Sequence, residues 1–114
     1  MIIDDHASFR ASARTLLENE GFDVVGEAED GASGLALADE LRPELVLLDV
    51  ALPDLSGFEV ADRLASSSRP AVVLVSSRDP SDFGARLRAA PARGFIAKEE
   101  LTGEAITTLM EGVQ

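Results

Sequence analysis

The chain has 114 residues, which is enough for one domain with its own hydrophobic core and too short for two, and it has no cysteine for disulfides or thiolate metal sites. Ten basic side chains against 21 acidic ones give a formal net charge of −11, which opposes direct binding to nucleic acid. No apolar run reaches the roughly 18 residues of a membrane span, and the first residues lack the pattern of a signal peptide, so we expect a soluble, cytoplasmic protein.

The first half of the chain alternates short apolar runs with amphipathic stretches. Residues 1–3 predict a strand stub that ends at an acidic pair, and the following helix has its apolar side chains on one face and stops at Gly21. Residues 22–27 are typical of a second strand. A turn signal at residues 29–31 then leads to a second helix, which ends before Pro43.

The second half continues this alternation. Residues 45–50 form an apolar run up to its acidic residue, Asp49, as expected of a central parallel strand that is buried on both faces. The remaining predicted elements are strands at residues 71–75 and 94–97 and helices at residues 58–64, 81–89 and about 102–111, the last with Thr102 as its N-cap. Strict alternation of five strands and five helices predicts an α/β fold with a parallel sheet and helices on both faces.

Polar side chains follow four of the five predicted strands. They are Asp4 and Asp5 after the first strand, Asp49 at the end of the third, Ser76 and Ser77 after the fourth, and Lys98 after the fifth. Because ligands bind beyond the carboxyl ends of strands in an open parallel sheet, we expect these groups to meet in one crevice. Taken singly, each has a simple structural explanation, such as a cap, a local turn or a surface lysine. Their shared position favours a functional site.

The predicted crevice suits phosphoryl transfer. Clustered carboxylates repel one another unless a cation such as Mg²⁺ lies between them. Asp49 can then act as a carboxylate nucleophile that forms an acyl phosphate. Mg²⁺ and Lys98 offset the negative charge of the transferred oxygens, and the hydroxyl of Ser76 donates to a third oxygen.

Four segments of the chain carry a more specific pattern. They are IDDH at residues 3–6 with FR at 9–10, LLDV at 47–50 with LP at 52–53 and Gly57, VSS at 75–77, and GFIAK at 94–98. Each segment alone is a weak signal, but the ordered set resembles the receiver domains of two-component response regulators. The Asp-Asp-His start, the Phe-Arg pair and the Lys98-Glu99 pair are similar to the LuxR/NarL-type subfamily.

This resemblance implies a flavodoxin-like (βα)5 fold, doubly wound, with a five-stranded parallel sheet of order 2-1-3-4-5. It also implies that Asp49 is the phosphoacceptor for a sensor histidine kinase in a Mg²⁺-dependent reaction. The chain is then a switch and not an enzyme, since it catalyses only its own phosphotransfer and dephosphorylation.

The resemblance also assigns the remaining site residues. The metal ligands it implies are Asp5 directly, Asp4 mainly through water, Asp49, and the backbone carbonyl of Ala51. The phosphate-binding set is Ser76, Ser77 and Lys98. The switch pair is Ser76 and Phe95: the hydroxyl moves toward the phosphoryl group, the ring rotates inward, and the face made by helix four, strand five and helix five changes shape.

We expect a single receiver domain over residues 1–114 that controls an output, with transcription as the favoured one, and that forms homodimers through this or another face. No output domain is present, and the short first strand suggests truncation, so a fragment is favoured over a stand-alone regulator. The only histidine, His6, is interpreted as a solvated residue at a helix start and not as a ligand.

Three other classes of protein share part of this pattern. A flavodoxin-like cofactor binder needs a loop that accepts a flavin phosphate after strand one, where Asp4 and Asp5 would repel it. A phosphatase of the haloacid dehalogenase type needs an acid two residues after the nucleophile, where this chain has Ala51. A phosphorylation-independent pseudo-receiver stays open as the alternative, although both Asp49 and Lys98 are kept.

Overall fold

The computed structural model describes residues 1–111 and has one parallel sheet at its centre. Its strands are β1 (Ile2–Ile3), β2 (Glu27–Ala28), β3 (Leu45–Asp49), β4 (Ala71–Ser76) and β5 (Gly94–Ala97). They lie in the order β2-β1-β3-β4-β5, and every pair is parallel, which confirms the order 2-1-3-4-5. The predicted end of the domain at residue 114 lies outside the described residues.

Helices cover both faces of this sheet. They are α1 (Ala7–Asn19), α2 (Gly31–Leu41), α3 (Gly57–Ala65), α4 (Ala85–Ala89) and α5 (Gly103–Glu111), with 3₁₀ turns at Pro80–Asp82 and Lys98–Glu100. Side chains of α2, α3 and α4 pack in one hydrophobic cluster, and those of α1 and α5 pack in a second. Thr102 Oγ1 accepts a hydrogen bond from Ala105 N at 3.0 Å, which confirms Thr102 as the N-cap of α5.

The apolar run of β3 is explained by these two clusters. Val46 and Leu48 point into the cluster under α2 and α3, whereas Leu45 and Leu47 point into the cluster under α1 and α5. All five residues of the strand are buried. A strand that is buried on both faces has no position for a solvated side chain, so Asp49 at its end is the first polar residue of the run.

The second strand is much shorter than predicted. Residues 22–27 were expected to pair, but β2 contains only Glu27–Ala28, which lie opposite Ile2 and Ile3 of β1. The prediction was wrong because an edge strand can pair only along the length of its one neighbour, and β1 has two residues. Val24 is nevertheless buried, in the cluster with α1 and α5, which accounts for the apolar pattern.

The fourth helix is not continuous. Residues 81–89 were expected to form one helix, but a 3₁₀ turn at Pro80–Asp82 is followed by Gly84 with φ +55 and ψ −130, and α4 begins only at Ala85. These angles lie outside the α region and are accessible mainly to glycine. The sequence signal was Gly84 itself, which the periodicity of the surrounding residues masked.

A loop between β3 and α3 holds the backbone around Asp49. Gly57 N donates to Val50 O at 2.7 Å, and Ala51 forms an antiparallel bridge with Ser56. Further along the loop, the carboxylate of Asp54 accepts hydrogen bonds from two backbone N–H groups at the start of α2, at 2.8 and 2.9 Å. The start of α2 and the end of β3 are thereby tied to one another.

Gly57, the first residue of α3, has no room for a side chain. A Cβ atom there would overlap the carbonyl oxygen of Asp49 and lie 2.7 Å from the Cα atom of Val50. Both contacts are with backbone, which cannot rotate away. The strand end that carries Asp49 therefore depends on a glycine eight positions later.

We predict that Gly57→Ala lowers the free energy of unfolding by about 1–3 kcal/mol, because the added methyl group displaces the backbone of Asp49 and Val50. Urea unfolding followed by circular dichroism measures this change. Asp62→Ala, at an exposed position of the same helix, is the control and should change stability by less than about 0.5 kcal/mol. A Gly57→Ala variant as stable as the wild type would contradict the assigned contact.

Candidate acidic site at the carboxyl edge of the sheet

Lys98 joins two buried carboxylates that come from different strands. Its Nζ atom lies 2.7 Å from Asp4 Oδ2 and donates a hydrogen bond to Asp49 Oδ2 at 3.2 Å. Asp4 is fully buried, and Asp49 is 2% exposed. The residues predicted to meet at the ends of the first, third and fifth strands therefore do meet, and they form a triad of two carboxylates and one ammonium.

The side chain of Lys98 is held in place by α1 as well as by the carboxylates. Lys98 begins the 3₁₀ turn that follows β5, and its Nζ atom lies 4.5 Å from the centre of the Phe9 ring. An ammonium over an aromatic face is attracted by the ring's negative potential. Burial acts to lower the pKa of Lys98, but the contacts with Asp4 and Asp49 outweigh it, so the pKa lies above its ordinary value.

Asp4 is fixed through its main chain as well as its carboxylate. Its Oδ1 atom accepts a hydrogen bond from His6 N at 2.8 Å at the start of α1. Its carbonyl oxygen accepts from the guanidinium of Arg10 at 2.6 Å, and Arg10 is itself held by Glu27 at 3.2 Å. The simple structural explanation for Asp4 holds as a local turn before α1, whose N-cap is His6, and the same residue also pairs with Lys98.

The carboxylate of Asp49 is held in an environment that resists its ionisation. Burial, followed by the nearby charge of Asp4, raises the pKa of Asp49 from 3.8 to about 6. A hydrogen bond from Ala51 N to Asp49 Oδ1, at 3.1 Å, and the ammonium of Lys98 act in the opposite direction. The single positive charge of Lys98 does not neutralise the negative charges of both Asp4 and Asp49.

A further cation fits this site. One ligand atom from each of Asp4, Asp5, His6 and Asp49 lies within 4.8 Å of the others, the one such group of acidic and histidine side chains found in residues 1–111. Asp4 Oδ2 accepts no hydrogen bond of good geometry despite its full burial, and Asp5 is partly exposed at the mouth. Three carboxylates offer the oxygen ligands that Mg²⁺ prefers.

His6 lies at the start of α1, as expected, and its side chain is 64% exposed. Its Nδ1 atom nevertheless lies 3.1 Å from Asp5 Oδ1 and 3.3 Å from Asp4 Oδ1. The expected solvated position at a helix start is confirmed, and the two carboxylate contacts were not predicted. The signal that was available is its position immediately after the two aspartates.

The two serines after β4 occupy different environments. Ser76 is buried, and its Oγ atom accepts a hydrogen bond from Arg78 N at 3.0 Å. Ser77 is exposed and lines a crevice of about 510 Å³ together with Phe9 and Lys98. Only Ser76 therefore lies within the buried part of the sheet edge.

Phe95 belongs to a chain of aromatic rings that the sequence did not reveal. Its ring centre lies 5.9 Å from that of Phe83, which in turn lies 5.5 Å from that of Phe58 at the start of α3. Arg86 lies over the Phe58 ring at 4.6 Å. The rings connect β5 to α3 through the turn before α4, and Phe95 is half-buried at one end.

Comparison with known proteins places the chain in a family. The model of the response regulator receiver domain matches residues 1–110, so the chain belongs to that family. BvgA of Bordetella pertussis, a positive transcription regulator of virulence factors, is 45% identical over 107 residues, covering 93% of this chain and 51% of BvgA. The response regulator GacA of Pseudomonas aeruginosa is 39% identical over 102 residues, covering 86% of this chain and 47% of GacA.

Solved structures agree with these relatives. The signal receiver domain of the response regulator NarL from Mycobacterium tuberculosis superposes with a TM-score of 0.85 at 31% identity, over 96% of this chain and 90% of that one. These findings confirm the resemblance to LuxR/NarL-type receivers and leave the flavin-binding and dehalogenase readings without support. The chain spans about half the length of the curated relatives it matches.

Residues 1–111 contain no helix that is long and apolar enough to cross a membrane. The expected cytoplasmic location stays a prediction.

We predict that Asp49→Asn stabilises the metal-free protein by about 1–3 kcal/mol at pH 7.5. Because the pKa of Asp49 is about 6 when folded and its ordinary value is 3.8, the folded state binds more protons between these values. Stability therefore falls as the pH rises through this window, and the asparagine variant lacks this loss. Urea unfolding in EDTA measures the difference, which should shrink as the pH falls toward 4.

Asp62→Asn, an exposed aspartate of α3, serves as the control and should show no comparable gain. If Asp49→Asn were no more stable than the wild type at pH 7.5, ionised Asp49 would not destabilise the folded state, and the inference would be wrong.

Proposed function

We propose that Asp49 accepts a phosphoryl group from the phosphohistidine of a sensor kinase, and that this domain switches the output of a response regulator. Membership of the receiver family supports the proposal. The observation that carries it is the position of Asp49, 2% exposed at the end of β3, with the Lys98 ammonium 3.2 Å from its Oδ2 atom. A buried aspartate without a neighbouring cation would not support this proposal, because nothing would offset the charge of the transferred phosphoryl group.

Asp5, Asp49 and the backbone carbonyl of Ala51 would hold Mg²⁺, with Asp4 acting mainly through water. The excess of negative charge around Asp4 and Asp49 supports a cation there. When bound, Mg²⁺ supplies positive charge against the transferred oxygens and favours the ionised form of Asp49. Ala51 N already donates to Asp49 Oδ1, so the loop and the carboxylate are held together.

The acceptor reaction needs an ionised carboxylate and a cation that stays in place. A pKa of about 6 leaves Asp49 largely ionised at neutral pH, and therefore nucleophilic. An oxygen of Asp49 attacks the phosphorus atom, the bond from phosphorus to the kinase's imidazole nitrogen breaks, and an acyl phosphate forms. Lys98, anchored by Asp4 and by the Phe9 ring, keeps its charge beside the carboxylate throughout.

Ser76, Ser77 and Lys98 would contact the phosphoryl oxygens. The Oγ atom of Ser76 accepts from Arg78 N, so its hydroxyl hydrogen is left to donate to a phosphoryl oxygen. Ser77 lies on the exposed side, in the same crevice as Lys98. A buried hydroxyl on one side and an ammonium on the other would hold the group in one orientation.

Ser76 and Phe95 would form the switch. If the Ser76 hydroxyl moves toward the phosphoryl group, the Phe95 ring can enter the space it leaves and lose its contact with Phe83. The helix that follows Phe83, α4, has five residues and none is fully buried, although Leu87 packs against the cluster under α2 and α3. Its rearrangement therefore disturbs little fully buried surface. The face made by α4, β5 and α5 would then change shape, as a shift between two populations.

The wider role follows from the relatives. BvgA is a transcription regulator, and this chain matches about half of it. We propose that residues 1–114 act as one receiver domain, that a histidine kinase is the phosphoryl donor, and that the face of α4, β5 and α5 contacts a second copy or an output domain that regulates transcription. The domain would catalyse only its own phosphorylation and dephosphorylation.

We predict that [³²P]acetyl phosphate labels the wild type in the presence of Mg²⁺ and that Asp49→Asn abolishes labelling, because the amide is a poor nucleophile. Gel autoradiography measures the label. Asp62→Asn, which leaves the site intact, should label normally, and EDTA should prevent labelling of every variant. A wild type that takes no label would favour the phosphorylation-independent alternative.

We predict that Phe95→Ala uncouples the switch from the chemistry. Labelling should persist, since the Phe95 ring packs against Phe83 and the hydrophobic cluster, but the phosphorylation-induced shifts of backbone amide NMR signals in β5 and α5 should be reduced. Phe22→Ala, a partly buried phenylalanine on the other cluster, is the control. Loss of labelling in Phe95→Ala would show that its assigned role is wrong.

A further inference from the structure

His6 adds a ring nitrogen to the acidic site. Its Nδ1 atom lies 3.1 Å from Asp5 Oδ1 and 3.3 Å from Asp4 Oδ1. Mg²⁺ takes oxygen ligands, so the function proposed above makes no use of this nitrogen. An imidazole nitrogen combined with carboxylates is instead the ligand set of Zn²⁺ and related transition ions.

We propose that His6 and the carboxylates of Asp4, Asp5 and Asp49 bind Zn²⁺, and that Zn²⁺ bound in this way competes with Mg²⁺ and blocks phosphoryl acceptance. The inhibition rests on the proposed function, because it concerns the same carboxylates. The binding itself does not, because it requires only the four side chains.

Two distances within the cluster are close to those between ligand atoms around a bound ion. For bonds of about 2.1 Å, neighbouring ligand atoms lie about 3.0 Å apart in an octahedron and about 3.4 Å apart in a tetrahedron. The two contacts of His6 Nδ1, at 3.1 and 3.3 Å, are an ion pair and a hydrogen bond in the absence of an ion, and both fall in this range. Since all four groups lie within 4.8 Å, only small side-chain movements are needed to close the shell.

The burial of Asp4 supplies an independent reason for a cation here. Asp4 is fully buried, its Oδ2 atom accepts no hydrogen bond of good geometry, and it shares its one ammonium, Lys98, with Asp49. Two buried carboxylates with a third at the mouth therefore exceed the positive charge of the triad. A divalent ion removes this excess.

The ring of His6 is accessible to an ion. It is 64% exposed, so an ion can reach it from solvent. Although His6 is the N-cap residue of α1, its side chain makes no capping hydrogen bond, so coordination would not weaken the helix. Substituting His6 should therefore leave the fold intact.

Inhibition follows from the number of ligands. Zn²⁺ prefers four ligands, and four protein groups would fill its shell and leave no position for a phosphoryl oxygen. Mg²⁺ prefers six and keeps exchangeable waters. The nitrogen of His6 would thus convert an open metal site into a closed one when Zn²⁺ is bound.

The test is isothermal titration calorimetry of the untagged protein with Zn²⁺ and, separately, with Mg²⁺. The chain has one histidine and no cysteine, so no other nitrogen or sulfur side chain of these types competes for Zn²⁺. His6→Ala should lower the ratio of Zn²⁺ to Mg²⁺ affinity by at least about tenfold. Ser8→Ala, an exposed serine near the start of the same helix, is the matched control and should keep the ratio of the wild type.

A second readout tests the inhibition. At fixed Mg²⁺, the Zn²⁺ concentration that halves acetyl phosphate labelling should rise at least about tenfold in His6→Ala. Equal Zn²⁺ affinities of the wild type and His6→Ala would overturn the role of His6, and Zn²⁺ binding without loss of labelling would overturn the inhibition. If the wild type takes no label in Mg²⁺ alone, the proposed function fails, and the calorimetric ratio still decides whether His6 is a ligand.

Discussion

The pairing of one ammonium with two buried carboxylates is the constraint on which the rest of the structure depends. Lys98, Asp4 and Asp49 come from the ends of three different strands, and each would be costly to bury alone. The attraction within the triad leaves a net negative charge, because two carboxylates share one ammonium. The site is thus stable enough to form and still attracts further positive charge, which is the property a phosphoryl acceptor requires.

The neighbouring packing keeps this balance from relaxing. Arg10 holds the main chain of Asp4, the ring of Phe9 lies against the ammonium of Lys98, and Gly57 allows α3 to begin directly against the carbonyl of Asp49. None of these contacts neutralises the excess negative charge. They fix atoms in position and leave the excess negative charge to be met by a cation. The buried carboxylates at the strand ends destabilise the fold, and the apolar clusters on both faces of the sheet offset this cost.

The sequence predicted the parts of the site that follow from topology. Because parallel strands end at the same edge, Asp4, Asp49, Ser76 and Lys98 were assigned to one crevice without any distance information. The length of β2 and the break at Gly84 were not predicted, since the first depends on the extent of its neighbour and the second on one backbone conformation. Both are properties of tertiary context and not of periodicity.

Side-chain direction marks the other limit of sequence reasoning. His6 was placed correctly at a helix start, but whether its ring faces solvent or the carboxylates is decided by a rotation about its own bonds. The contacts among Phe95, Phe83 and Phe58 join residues that are far apart in the chain, so no local sequence pattern predicted them. The family match establishes what kind of domain this is, while these contacts give the individual features of this chain.

The most direct test of this account is to locate the phosphoryl group chemically. Reduction of the phosphorylated protein with borohydride converts an aspartyl phosphate to homoserine, and peptide mass spectrometry then identifies the modified position. We expect homoserine at residue 49 and unmodified aspartate at residues 4, 5 and 54. Homoserine at any of those three positions, with residue 49 unchanged, would contradict the claim that the buried carboxylate beside Lys98 is the acceptor.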